Sequence, residues 1–154
     1  MGNDLIFPLT FSGVRPGEEQ IVIDLIGQAG LTTEGLNPAK LVHFIVARRG
    51  DVIVGTVGLE PAGRAALLRS LLVIESQRRR AVATRLVAAI EKYARSHGMD
   101  TLYLLTMEAA AFFTRQGYQS LDRQNAPAGI QATAEFRTLC PATAHCLCKR
   151  LLPE

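Results

Sequence analysis

Residues 65–98 read AALLRSLLVIESQRRRAVATRLVAAIEKYARSHG, and a change of period inside this stretch decides the fold. Residues 65–74 are apolar at most positions, which predicts a central strand. From residue 79 to 97 the period becomes helical: Val82, Leu86, Ile90, Tyr93, Ala94 and His97 share one stripe, and Arg85, Lys92 and Arg95 lie elsewhere. Glu91 and Arg95 add a favourable i,i+4 pair. Gly98 is a stop signal, and TLYLLT (101–106) then runs apolar on both faces like a buried parallel strand. Strand, helix and strand predict a right-handed crossover.

Working outward toward the N-terminus, LVHFIVA (41–47) and VIVGTVGL (52–59) flank the turn Arg48-Arg49-Gly50-Asp51 and predict a hairpin. Glu60-Pro61-Ala62-Gly63-Arg64 is a second turn that leads into the central strand, so these strands form an antiparallel meander. Residues 18–31 carry Ile21, Leu25 and Ala29 at helical spacing between Pro16-Gly17 and Gly30, and residues 31–38 break that period as a loop or short helical turn. Toward the C-terminus, residues 109–115 predict a short helix, 118–121 a short strand and 144–151 a final strand. Residues 123–143 have no clean period. The fold class is α/β, with a mixed central sheet flanked by helices, in a single domain over residues 1–154.

Composition narrows the functions available. The chain has 154 residues, 48% apolar and 20% charged, enough for one core. No apolar run reaches the ~20 residues of a membrane span, and Met1-Gly2-Asn3-Asp4 lacks a signal peptide's basic flank, so no membrane role and a cytoplasmic location are expected. Ile6 stands where a myristoylation pattern asks for Ser or Thr. The net charge of +3 is too modest to imply nucleic acid. Cys140, Cys146 and Cys148 are an odd, C-terminal set and read as reduced thiols. Three thiolates could bind a thiophilic ion such as trivalent arsenic or zinc, but small buried cysteines are commoner and no metal is expected.

The turn between the central strand and the long helix concentrates chemistry. A helix N-terminus offers free N–H groups and the positive end of the dipole. Here Arg78, Arg79 and Arg80 supplement it, and small Ala81 and Ala83 let a diphosphate approach the backbone. The same residues would also make an ordinary solvated helix start.

The order of elements and the run Arg78-Arg79-Arg80-Ala81-Val82-Ala83 resemble the GNAT superfamily of N-acetyltransferases, whose pyrophosphate loop reads Q/R-x-x-G-x-G/A. Ala81 replaces the central glycine and disfavours positive φ. Phe112-Phe113-Thr114-Arg115-Gln116-Gly117-Tyr118 is similar to the family's F-Y-x-x-x-G-F, with Phe113 where a tyrosine often protonates the departing thiolate. A thiol titrates near ~8.5, so loss of that acid slows turnover without abolishing it. GLTTEGL (30–36), GLEP (58–61), AALLRSLLV (65–73), LYLLT (102–106), AFFTRQGY (111–118) and TAEFRTLCP (133–141) resemble a branch associated with arsenic-resistance operons.

The resemblance implies a GNAT fold and an acetyl-CoA-dependent N-acetyltransferase acting on the amine of a small molecule. Leu71, Leu72 and Val73 would meet the pantetheine arm and polarise the thioester, with the coenzyme in a cleft between that strand and residues 102–106. Arg78, Arg79, Arg80, Ala81, Val82, Ala83 and Thr84 would hold the pyrophosphate, and Phe113 would flank the coenzyme. An amine protonated at neutral pH needs a base. Glu60 is the first candidate, followed by Glu34 and Glu135; Glu34, Arg69 and Cys140 are candidates for contact with the acceptor. Arg69 could reach an acidic substrate group or pair with a carboxylate. His43 reads as a structural histidine in a strand, and His97 as a complement to the helix dipole. Two rival readings are a degenerate domain that binds CoA or a thiophilic ligand, and a protein N-acetyltransferase. A homodimer through residues 144–151 is compatible with their apolar character.

Overall fold

The computed structural model of the chain describes residues 7–79, 81–138 and 143–153. Arg80 and Cys140, both singled out above, lie outside the described residues. Among the described residues, seven strands form one sheet in the order β1-β2-β3-β4-β5-β7-β6. They are β1 (Leu9–Gly13), β2 (Phe44–Arg49), β3 (Val52–Ala62), β4 (Ala65–Val73), β5 (Thr101–Thr106), β6 (Gln119–Ser120) and β7 (His145–Arg150). The helices are α1 (Glu19–Gln28), α2 (Val82–Ser96), α3 (Ala110–Arg115), α4 (Ala128–Gln131) and α5 (Ala134–Thr138). β1 with β2 and β2 with β3 are antiparallel, β4 with β5 is parallel, and β7 pairs antiparallel with both β5 and β6. The expected mixed sheet with one parallel crossover is present.

The chain divides into two compact units. One runs to Gly58 and resumes at Ser70–Lys92; the other takes Leu59–Arg69 and continues from Tyr93. In the first, Val22 and Ile26 of α1 pack with Leu41, Phe44, Val46, Ile53 and Leu72. In the second, Leu67, Leu105 and Cys146 pack with Ala126, Ile130 and Phe136. These contacts explain why an undistinguished segment folds. Residues 123–143, which show no period, hold α4 and α5 because Ile130 and Phe136 are each buried there.

Several boundaries differ from the sequence expectation, each for a physical reason. Residues 38–43 form a 3-10 helix rather than the start of a strand: the Asn37 side chain accepts from the Lys40 N–H, and Pro38 occupies the first position. His43 therefore ends a helical turn and is not inside a strand. β3 extends through Ala62, so the turn is confined to Gly63-Arg64 and Glu60 lies within a strand. Arg48, expected in a turn, lies in β2 and is fully buried. It donates to the Ser12 hydroxyl, to the Glu18 carboxylate and, at 3.1 Å, to the Gly13 carbonyl. Charge predicted exposure, and these three acceptors outweigh it.

Candidate functional site

The first unit carries the turn that precedes α2. β4 reaches it through a bend, because Ser70 sits at φ +60°, a conformation rare for any side-chain-bearing residue. The bend is held by Thr56 Oγ1, which donates to the Ser70 carbonyl at 2.7 Å. A serine in the middle of an apolar run was the available signal, and the sequence reading passed over it. After the bend, Leu72 is buried, with Leu71 and Val73 half-buried. A Cβ added to Gly55 would lie 2.9 Å from the Leu72 carbonyl, so glycine is what lets β3 approach here.

The chain then makes a 3-10 turn at Glu75–Gln77. Arg78 Nε donates to the Val73 carbonyl at 3.1 Å, and Arg49 Nε donates to Gln77 Oε1 at 3.3 Å. Arg79 (φ +66°) and Ala81 (φ +59°) both adopt the left-handed conformation. Ala81 offers its carbonyl to the Arg85 N–H at 3.0 Å, closing the first turn of α2. The N–H groups of Val82, Ala83 and Thr84 open a fifteen-residue helix and have no acceptor within it. Ala81 and Thr84 are exposed, Ala83 is half-buried, and Val82, Leu86 and Ile90 anchor the helix in the core. A backbone bent twice before a long helix presents donors and the dipole's positive end to an anion.

The second unit gathers three ionisable groups. Glu60 comes from β3, Arg69 from β4 and Glu135 from α5. Arg69 Nη1 donates to Glu60 Oε1 at 3.0 Å, and Arg69 Nε lies 3.7 Å from Glu135 Oε2. The side chains are 19%, 1% and 8% exposed for Glu60, Arg69 and Glu135. Burial pushes the Glu135 carboxyl up to about 7; Arg69 works against that rise and the Glu60 charge adds to it. α5 is held in place locally. Thr133 Oγ1 accepts from the Phe136 N–H at 3.4 Å, and Arg123 donates to the Phe136 carbonyl with its guanidinium 5.3 Å from that ring's centroid. A carboxyl that titrates near neutrality beside a second carboxylate can accept a proton from a substrate.

Of the three carboxylates expected as bases, Glu60 and Glu135 meet on Arg69. Glu34 belongs to the first unit, in an exposed loop where its N–H donates to Thr32 Oγ1 at 3.1 Å. Arg69, for which two uses were open, pairs with carboxylates. Phe113 on α3 is buried and packs edge-on against Phe112 and Tyr118. Burial pushes the Cys146 thiol up to about 11 and raises that of Cys148, so both hold their protons at neutral pH. Among the described residues, no three His, Cys, Asp or Glu side chains are grouped to hold a metal, and no helix is long and apolar enough to cross a membrane.

No curated protein matches the sequence. Solved structures share the fold. An N-acetylglutamate synthase from Neisseria gonorrhoeae, complexed with coenzyme A and N-acetyl-glutamate, aligns with a TM-score of 0.81 at 17% identity, over 94% of this chain and 35% of that one. The chain thus spans about a third of the Neisseria protein's length. Rv2747 from Mycobacterium tuberculosis, in complex with CoA, aligns at 0.76 with 18% identity, over 93% and 99% of the two chains. An acetyltransferase of the GNAT family from Staphylococcus aureus aligns at 0.73 with 15% identity, over 94% and 100%. The family model for the acetyltransferase (GNAT) family matches residues 15–118, well over half of the sequence. The chain therefore belongs to the acetyltransferase (GNAT) family.

Proposed function

We propose that the protein transfers the acetyl group of acetyl-CoA to the amine of a small molecule, as a single acetyltransferase domain. The observation that carries this reading is the pair of left-handed residues, Arg79 and Ala81, immediately before α2. Alanine accepts such a backbone only at a cost, and an anion site at the helix start accounts for it. The pyrophosphate would rest on the N–H groups of Val82, Ala83 and Thr84, with the Arg78 and Arg79 side chains beside it. Main-chain groups of Leu71, Leu72 and Val73 would meet the thioester. CoA in the Neisseria and Mycobacterium structures supports the choice of cosubstrate.

Glu60 and Glu135 serve the acceptor. Glu60, the more exposed carboxylate, receives the amine as its ammonium form, and Glu135 takes the proton. The freed nitrogen lone pair forms the bond to the acetyl carbon; as the carbon–sulfur bond breaks, nitrogen gives up its second proton, which passes through water to the departing CoA thiolate. Phe113 supplies no proton to that step. Steady-state release of CoA thiol with a panel of small amines tests the reading: turnover by the wild type and its loss in Glu135→Gln are expected. Equal rates in the two proteins would remove Glu135 from the reaction.

The finer assignment, to the branch associated with arsenic resistance, rests on the resembling stretches quoted above. On this reading any such role would run through acetylation. Action in the cytoplasm and pairing of two copies belong to the same proposal, although β7 lies between β5 and β6 and is not an edge of the sheet.

A further inference from the structure

We propose that the acceptor is a cationic amine with no carboxylate on the carbon that bears it, and that Arg69, enclosed by Glu60 and Glu135, excludes α-amino acids. The inference rests on the reading that these carboxylates face the acceptor. An α-amino acid carries a carboxylate beside its ammonium, and recognising it calls for an accessible cation, most often the fork of an arginine. Arg69 is the arginine of this cluster, and it is not offered to a ligand. Its side chain is 1% exposed, its Nη1 is given to Glu60 and its Nε faces Glu135.

The charge count points the same way. Two carboxylates surround one guanidinium, so the cluster carries one surplus negative charge when Glu135 is ionised. Its accessible face is Glu60, with 19% of the side chain exposed. A cation arriving there balances the surplus. A substrate carboxylate would stand against Glu60 while the guanidinium that could have balanced it lies behind, and repulsion between like charges is strengthened by partial burial. Arg123, another basic side chain of this unit, is engaged by the carbonyl and ring of Phe136.

Matched acceptors that differ only by the carboxylate provide the test: tyramine against tyrosine, histamine against histidine, and phenethylamine against phenylalanine. Initial rates of CoA thiol release at pH 8 and saturating acetyl-CoA give kcat/KM for each. The decarboxylated member of a pair should be favoured by about tenfold or more, equivalent to ~1.4 kcal/mol. Glu60→Gln, checked for folding by circular dichroism, should bring that ratio toward one by lowering KM for the carboxylated member. Preference for the amino acids, or ratios near one in the wild type, would overturn the inference. So would silence of all three pairs while calorimetry still shows acetyl-CoA bound. Failure of acetyl-CoA to bind would instead overturn the acetyltransferase reading beneath it.

Discussion

Glu135 Oε2 stands 3.7 Å from Arg69 Nε, an ion pair longer than a hydrogen bond, in a setting that leaves the Glu135 side chain 8% exposed. Arg69 therefore offsets only part of the burial, and the carboxyl is pushed from 4.5 up to about 7. The folded chain holds that proton more tightly than the unfolded chain does. Stability from this group is complete below pH 4.5 and is lost as pH rises through 7, on the order of 3 kcal/mol in all. Glu135→Gln should flatten the dependence and be the more stable protein at pH 8, as urea midpoints at pH 5 and pH 8 would show. A wild type that gains stability over that interval would contradict the account.

The same group governs the acidic limb of activity. If Glu135 must be ionised to take a proton, kcat/KM rises with pH through about 7 and levels off above it. Glu135→Gln should lower kcat/KM by about 100-fold and abolish that inflection. A pH profile measured on both proteins checks this, and an inflection that survives the substitution belongs to another group.

Ala81 carries a methyl group at φ +59°. Left-handed backbone costs a non-glycine residue roughly 1–2 kcal/mol, and glycine's added freedom in the unfolded chain returns part of that. Ala81→Gly should stabilise the protein by about 1 kcal/mol in urea denaturation. It should also bind CoA at least as tightly as the wild type, because the helix N–H groups are unchanged.

Gly58 of β3 faces Phe44, the first residue of β2. An added Cβ would lie 2.2 Å from Phe44 Cζ, and that ring is 2% exposed, with no room to withdraw. Gly58→Ala should cost about 2–3 kcal/mol from overpacking alone, read as a lower urea midpoint. A midpoint equal to the wild type would show that β2 can shift.

The parts of the fold that were legible are those written locally. The switch of period between residues 65–74 and 79–97 located β4 and α2, and TLYLLT coincides with β5. β1 went unseen because five residues of LTFSG signal little by themselves, and only pairing with Ile45–Arg49, more than thirty residues away, makes them a strand. The acid cluster divides in the same way. Glu60, Arg69 and Glu135 could each be picked out as charges in or beside apolar sequence, but their meeting depends on α5, whose segment has no period. The strained turn could be located from its arginines and small residues. Its conformation could not, because alanine at position 81 speaks against the positive φ that it adopts.

The central claim is that the turn before α2 holds the pyrophosphate of acetyl-CoA. Isothermal titration of acetyl-CoA into the wild type and into Arg79→Glu/Ala81→Asp, with circular dichroism to confirm that both are folded, tests it most directly. Micromolar binding by the wild type, lost in the folded variant, is the predicted result; equal binding by both proteins, or none by the wild type, would contradict it.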